Sequence, residues 1–244
     1  MKTIKPPHKC GVIKSLIKYD LKETIYRSKM ALSRRSASYI SSVEWSVPKS
    51  EKVERIIALA DKLYDGPLFN HGIRSYAFGK ILMSLNNEKV DNEVFFIGSL
   101  LHDLGLIKDC TGTTFELVGA EEACAHCHDI LTPKQLDIIH EMILLHSAIG
   151  YAENKSLELK YLHYGAGVDV ADLWGHRLNE QNYFEVYNKY PSQGHIPYMI
   201  DLLKKRMNEN PNMYLSTVIN LGFLGKMKKK KKKGAGTNED FGNL

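Results

Sequence analysis

Hydrophobic residues recur along most of the chain at the intervals of three and four positions that are typical of α-helices. The clearest run lies between residues 53 and 64, and the segment 94–104 is almost continuously apolar. Because a segment this apolar has no face for solvent, we expect it to form a helix at the centre of the fold. Neither alternating runs joined by hairpin turns nor an internal repeat of fixed period is visible. The sequence therefore predicts an all-α fold.

Glycine, proline and capping residues indicate where several of these helices begin and end. Asp65-Gly66-Pro67 breaks the pattern, and Asn70 is expected to cap the helix that follows. Thr132-Pro133-Lys134-Gln135 combines a capping threonine, a proline at the first helical position and a glutamine that can complete a capping box. Gly165 and Gly167 predict either close packing or a junction between helices.

The length of 244 residues suits one domain with extensions. We divide the chain into an N-terminal extension, expected to be helical, over residues 1–45, a main domain over 46–225, and a lysine-rich tail, expected to be disordered, over 226–244. The formal net charge of +5 is carried by this tail, so the rest of the chain is formally neutral. A neutral body does not suggest nucleic-acid binding. The lysine run is typical either of a solvated tail or of a nuclear-localisation or anion-binding patch.

Neither a membrane span nor a secretory leader is apparent in the sequence. No apolar run reaches the roughly 18 residues that a span needs, and the first residues lack the apolar stretch of a signal peptide. Four cysteines in a chain of this length do not indicate a disulfide framework. We therefore expect a cytoplasmic protein, with a nuclear location as the alternative, and homo-oligomerisation stays open.

The segment Cys124-Ala125-His126-Cys127-His128 matches the C-x-x-C-H pattern of covalent haem attachment. That chemistry needs an exporting signal, which the sequence does not show. A zinc knuckle would need a second cysteine pair. We interpret these cysteines as ordinary core residues.

His102 and Asp103 stand together at the end of the most apolar segment. An ionised aspartate in such surroundings costs several kcal/mol unless it is paired or bound to a metal ion. A neutral imidazole beside a carboxylate suits Zn²⁺, Fe²⁺ or Mn²⁺. The alternative is a hydrogen-bonded pair at a helix end, and spacing alone does not separate the two.

Several motifs resemble those of the HD superfamily of metalloproteins. They are Leu68-Phe69-Asn70-His71-Gly72-Ile73-Arg74, Leu100-Leu101-His102-Asp103-Leu104-Gly105 and Val168-Asp169-Val170, in the order H…HD…D. The segments 113–120, 144–147 and 165–169 are similar to the cyanamide hydratase-like branch of that superfamily. The similarity covers roughly residues 50–215, and it implies a helical HD domain with a metal site between helices.

The resemblance implies a metal shell of His71, His102, Asp103 and Asp169. It implies one divalent ion, with Zn²⁺ favoured and Fe²⁺ or Mn²⁺ as alternatives. Asp172 lies one helical turn after Asp169 and competes with it for the fourth position.

The chain departs from the binuclear relatives at one position. Where they carry a further histidine, this sequence has Phe115, which cannot bind a metal ion. His126 and His128 lie more than two helical turns further on. The departure favours a site for a single ion.

Catalytic and substrate-binding roles are also implied by the resemblance. Asp103 is expected to orient or deprotonate a water molecule, and His146 is expected to act as acid, base or substrate-orienting group, with a purely structural role as the alternative. Arg74 has an alternative role in a structural ion pair. The predicted substrate-binding residues are Thr113, Thr114, Phe115, Glu116 and Arg74.

We expect the partner of this protein to be a small molecule, and three functions remain as hypotheses. The leading one is hydration of cyanamide or a related small nitrile to urea by a metal-activated water. The second is hydrolysis of nucleotides or other phosphoesters, although Arg74 and Lys108 are the few cationic candidates for the pocket. The third is a non-enzymatic HD binding module, which the intact ligand motifs argue against.

Overall fold

The computed structural model describes residues 9–33, 37–64, 66–211 and 213–230. Within these ranges every regular element is helical and no strand is present, which confirms the all-α prediction. The α-helices are α1 (Lys9–Ser33), α2 (Glu51–Leu63), α3 (Gly66–Leu85), α4 (Asn92–Leu101), α5 (Phe115–Cys127), α6 (Pro133–Leu145), α7 (Leu157–Ala171), α8 (Glu180–Lys189), α9 (His195–Glu209), α10 (Tyr214–Asn220) and α11 (Phe223–Lys228). Three short 3-10 helices cover Leu104–Ile107, Ala152–Asn154 and Gly175–Arg177. None of the described helices is both long and apolar enough to cross a membrane.

Helices α3, α4 and α7 form the centre of the molecule. Every residue of α4 from Val94 to Leu101 is buried, as its apolar sequence predicts. Helix α3 is buried on all faces from His71 to Met83, and α7 from Tyr161 to Asp169. Side chains placed on these three helices are therefore held on every side by packed neighbours.

Glycines allow α3 and α7 to cross with their backbones in contact. A Cβ atom added at Gly165 would lie 1.9 Å from the carbonyl oxygen of Ser75, and one added at Gly79 would lie 2.6 Å from the carbonyl oxygen of Tyr161. The predicted close packing at Gly165 is thus confirmed, and α7 continues through this position without a junction.

The local capping signals were correct at one helix and wrong at another. Thr132 and Gln135 form the predicted capping box at the start of α6. Helix α3, in contrast, begins at Gly66 rather than after Asn70, because Pro67 is tolerated in a first helical turn. The Asn70 side chain instead donates a hydrogen bond to the carbonyl oxygen of Pro191, 3.2 Å away.

The N-terminal extension contributes a helix that packs on the main domain. Val12 of α1 is buried, and the hydroxyl of Tyr19 donates to the carbonyl oxygen of Leu173 at 2.9 Å. Glu23 accepts a hydrogen bond from the guanidinium of Arg177 at 2.5 Å. Helix α1 is therefore a part of the packed molecule.

The start of the lysine-rich tail is also part of the packed molecule. Helix α11 runs to Lys228, its Met227 is only 1 % exposed, and the ammonium of Lys230 contacts the hydroxyl of Tyr187 at 2.6 Å. Helical structure thus extends into the segment expected to be disordered, because Met227 of α11 packs on the core while Lys226 and Lys228 are exposed. Disorder of the tail as a whole stays a prediction. Residues 231–244 lie outside the described part of the chain.

Candidate metal centre

A cluster of buried histidines and aspartates forms where the ends of several helices meet. His102 follows the last residue of α4 and His146 the last residue of α6. Asp103 comes directly after His102, and the remaining members lie in the second turn of α3, in the last turn of α7 and at the first residue of α9. The cluster consists of His71, His102, Asp103, His146, Asp169 and His195, which are all buried.

Asp103 lies at the centre of three imidazole rings. Its Oδ2 atom is 3.3 Å from Nε2 of His71 and 3.3 Å from Nε2 of His102, and its Oδ1 atom is 3.6 Å from Nε2 of His146. Burial by itself would raise the pKa of Asp103, but the neighbouring histidines lower it below its usual range. The centre therefore holds an ionised carboxylate surrounded by imidazole nitrogens.

Backbone carbonyl groups determine which nitrogen two of these rings present. Nδ1 of His102 donates to the carbonyl oxygen of Ser99 at 2.7 Å, and Nδ1 of His146 donates to that of Ile143 at 2.7 Å. Burial lowers the pKa of His102 to about 3, so its ring is neutral and its Nε2 carries a lone pair. Each carbonyl lies three residues before its histidine, so the α-helical backbone itself supplies this orientation.

His71 lies between two carboxylates. Its Nδ1 donates to Oδ2 of Asp169 at 2.7 Å, while its Nε2 faces Asp103. Burial would lower the pKa of His71, but the hydrogen bonds to Asp103 and Asp169 raise it. A carboxylate behind a histidine is the usual support of a metal-binding imidazole.

Asp169 is bound on all sides by its neighbours. Arg74 donates from Nε to Oδ1 and from Nη2 to Oδ2, both at 2.9 Å, and the hydroxyl of Tyr187 donates to Oδ1 at 2.9 Å. The ammonium of Lys230 contacts its backbone carbonyl oxygen. Burial opposes ionisation of Asp169, but Arg74 and Lys230 hold its pKa well below the usual range.

The four residues of the predicted metal shell come together, but they form two groups rather than one. His71, His102 and Asp103 can each place a ligand atom within 4.8 Å of the others, and His71, Asp169 and His195 form a second such group. Direct ligation by Asp169 stays a prediction. Its competitor Asp172 accepts a hydrogen bond from the hydroxyl of Tyr183 and belongs to neither group of the described residues.

Sequence reasoning gave His195 no role, yet it belongs to the cluster. Its ring stacks on that of His71 with centroids 4.6 Å apart, and its Nδ1 is 3.7 Å from Oδ2 of Asp169. Both ring nitrogens are buried without a hydrogen-bond partner in the described structure. No local signal marks this histidine, because α9 is brought beside α3 only by the tertiary fold.

A mostly apolar cavity opens beside Asp103. Its empty space is about 570 Å³, part of it open to solvent, and no lysine or arginine of the described residues lines it. His71, His102 and His146 are among the residues that line the cavity. Its apolar part includes Phe115, Ile149, Val170, Leu203, Val218 and Met227.

The predicted substrate-binding residues lie at different places around this cavity. Phe115 is in the wall, with its ring centroid 5.9 Å from that of His146. Thr114 caps α5, and Glu116 accepts a hydrogen bond at 2.7 Å from Ser147, which does line the cavity. Among the wall residues of the described structure we find neither Thr113 nor Thr114, Glu116 or Arg74.

Arg74 has the structural role that was its alternative. Its guanidinium binds Asp169 and donates to the carbonyl oxygen of Pro191 at 2.7 Å, and the residue is 0 % exposed. Contact of Arg74 with an anionic substrate stays a prediction; in this structure the guanidinium is buried and bound to Asp169 and the Pro191 carbonyl group.

The cysteines of the C-x-x-C-H segment lie on α5. Burial raises the pKa of Cys124 to about 11 and that of Cys127 to about 12, so both are thiols at neutral pH. Within the described ranges they belong to no group that could hold a metal ion. Their interpretation as ordinary packed cysteines agrees with this environment.

No family model matches this chain, and none of the curated proteins is significantly similar to it.

Proposed function

We propose that this chain is an HD-type metalloprotein that hydrates a small neutral nitrile, with cyanamide as the test substrate and urea as its product. The observation that carries the proposal is the contact between His102 and Asp103. The lone pair on Nε2 of His102 faces a carboxylate oxygen at 3.3 Å. Two acceptors in such contact repel each other unless a cation lies between them.

The residues present fit a divalent ion. A tetrahedral ion with bonds of about 2.0–2.1 Å separates its ligand atoms by about 3.3 Å. Oδ2 of Asp103 lies 3.3 Å from Nε2 of both His71 and His102. These three residues would hold the ion, with Asp169 orienting His71 from behind or joining the shell. An ion held there supplies Lewis acidity and lowers the pKa of a bound water.

The remaining groups of the site can move protons and exclude water. Nδ1 of His146 is occupied by the Ile143 carbonyl group, so Nε2 can take a proton from the attacking water and return it to the nitrile nitrogen. In the overall reaction, the water oxygen forms a double bond to the nitrile carbon, both C–N π bonds of the nitrile break, and both water protons end on the nitrile nitrogen, which gives urea. The apolar part of the wall offers water few hydrogen-bond partners beside the reacting atoms.

The cavity wall favours a neutral substrate over a phosphoester. Phosphoryl groups are bound by arginine, lysine or helix N-termini in most sites that recognise them. Here the described wall carries neither arginine nor lysine, and Arg74 is bound to Asp169. Phosphoester hydrolysis remains the competing function that the experiment must separate.

The test combines metal analysis with two substrate assays on the purified full chain. We expect about one equivalent of zinc, iron or manganese, release of urea from cyanamide, and no phosphate from a nucleotide panel. His102→Ala should lose both the metal and the activity, because it removes a ligand from the shell. The matched control is His128→Ala, since His128 is an exposed histidine at the end of α5 and should retain both.

Three results would contradict the proposal. If the purified protein is metal-free and binds no added ion, the proposed metal centre is refuted. Release of phosphate without formation of urea would support the phosphohydrolase instead. Full metal content in His102→Ala would show that the ion lies elsewhere.

A further inference from the structure

His163 is a buried histidine that faces the cavity from helix α7. It is 4 % exposed, it lines the cavity, and its ring packs edge-on against Trp174 with centroids 5.0 Å apart. Nδ1 of His163 donates to the backbone carbonyl oxygen of His146 at 2.6 Å. Nε2 is buried without a hydrogen-bond partner in the described structure.

These contacts determine what His163 offers to a ligand. With the hydrogen on Nδ1, Nε2 of a neutral ring is a pure acceptor. Burial lowers the pKa of His163 to about 4, so the ring remains neutral at physiological pH. A buried acceptor left without a donor is unfavourable, which favours a ligand that brings a donor to this nitrogen.

The other polar group of the wall beyond the metal cluster does not fill this role. Ser147 lines the cavity, but its hydroxyl hydrogen is directed at Glu116. Apart from Ser147, His163 and the residues of the metal cluster, the described residues of the wall are apolar. His163 is therefore the histidine acceptor in a region where a substrate would find few other polar partners.

We propose that Nε2 of His163 is a specificity-determining acceptor that binds an N–H or O–H donor on the substrate. The inference rests on the proposed function and narrows its substrate class. It selects neutral nitriles with a donor beside the nitrile carbon, such as the amino group of cyanamide. N,N-dialkylated cyanamides, which lack the donor, lie outside this class.

The kinetic test compares cyanamide with N,N-dimethylcyanamide on the zinc-loaded full chain. We expect His163→Leu to lower kcat/KM for cyanamide about 10- to 100-fold, the range expected when a buried hydrogen bond to the substrate is lost. The same variant should change kcat/KM for N,N-dimethylcyanamide less than about threefold. His163→Gln, whose amide oxygen is an acceptor, should recover part of the loss.

The matched control is His140→Leu. His140 also has a buried Nε2 without a described partner, but it lies on α6 outside the cavity wall. This variant should leave the ratio of the two kcat/KM values unchanged. An equal loss on both substrates in His163→Leu would overturn the inference, because a merely structural histidine would affect both alike.

A second measurement does not depend on turnover. In protein with ¹⁵N-labelled histidine, the unprotonated Nε2 resonance of His163 is assigned by its absence from His163→Leu. We expect it to shift on addition of cyanamide and not on addition of N,N-dimethylcyanamide, because an accepted hydrogen bond changes the shielding of this nitrogen.

The two proposals fail in distinguishable ways. A selective shift without urea formation would refute the hydratase and support the His163 acceptor. Urea formation with neither a selective shift nor a substrate-dependent mutational effect would support the hydratase and overturn the acceptor.

Discussion

Asp169 is an ionised carboxylate that is 0 % exposed. Transfer of an ionised carboxylate from water into a protein interior costs several kcal/mol, even after relaxation. Arg74 offsets that cost with a two-point hydrogen bond, and His71 and Tyr187 supply further donors. Asp169 in turn holds His71 in place, so a structural ion pair and the candidate metal centre depend on the same carboxylate.

Arg74→Met tests this pairing. We expect the free energy of unfolding to fall by about 3–5 kcal/mol, because the substitution leaves a buried charge without its main partner. Arg74→Lys should lose less, since it keeps the charge but not the two-point geometry. Guanidinium chloride unfolding measures both changes.

The control for this prediction is Arg55→Met in α2. Arg55 is exposed, and substitution there should change stability by no more than about 0.5 kcal/mol. Equal effects at the two positions would refute the role assigned to Arg74.

Among the elements, the crossing of α3 and α7 positions the site. His71 is carried by α3 and Asp169 by α7, so the separation of the two helix axes sets the distance between the two side chains. Gly165 and Gly79 allow this separation to be short, because their missing side chains leave room for the carbonyl groups of the opposite helix.

Gly165→Ala should therefore be strongly destabilising. Its Cβ would lie 1.9 Å from the backbone carbonyl oxygen of Ser75, and no side-chain rotation can relieve that clash. We expect a loss of about 3 kcal/mol or more, at the upper end of overpacking effects. Thermal and denaturant unfolding measure it.

Gly225→Ala provides the comparison within another helix. A Cβ atom at Gly225 of α11 meets nothing within 4 Å. This change should be neutral or stabilising by up to about 1 kcal/mol, since alanine loses less backbone entropy on folding. A Gly165→Ala variant as stable as the natural protein would mean that the helices are not in backbone contact.

At the scale of the whole molecule, buried neutral histidines couple stability to pH. Burial lowers the pKa of His163 to about 4 and that of His102 to about 3, whereas histidines of the unfolded chain titrate near pH 6.5. Between these values the unfolded chain binds more protons than the folded one, so acidification destabilises the fold. The pKa of His71 is raised by folding, so His71 has the opposite effect on stability. Its contribution to the free energy of unfolding is present at low pH and is lost as the pH rises through its folded pKa.

We predict that the metal-free protein loses stability as the pH falls from about 6.5 towards 4. His163→Gln should reduce the slope of unfolding free energy against pH by up to about 1.4 kcal/mol per pH unit, the contribution of one proton. Denaturant unfolding at a series of pH values in the presence of a chelator gives both slopes. Identical slopes for the two proteins would show that His163 titrates normally in the folded state.

The sequence by itself determined the features that depend on neighbours along the chain. The apolar segment 94–104 predicted the buried helix α4, and Thr132 with Gln135 predicted a capping box, because periodicity and capping act within a few residues. The sequence also predicted that His102 and Asp103 lie side by side in the cluster, because the two residues are adjacent in the chain.

Tertiary structure decided which distant residues join that pair and in what role. Arg74 was expected to contact a substrate, but it binds Asp169, which lies 95 residues away in the chain. The lysine run of the sequence predicted a solvated tail, although its first residues belong to helix α11 with the buried Met227. His163 and His195 carry no local mark of their position. Long-range contacts of this kind arise from how helix faces pack together, which hydrophobic periodicity limits but does not specify.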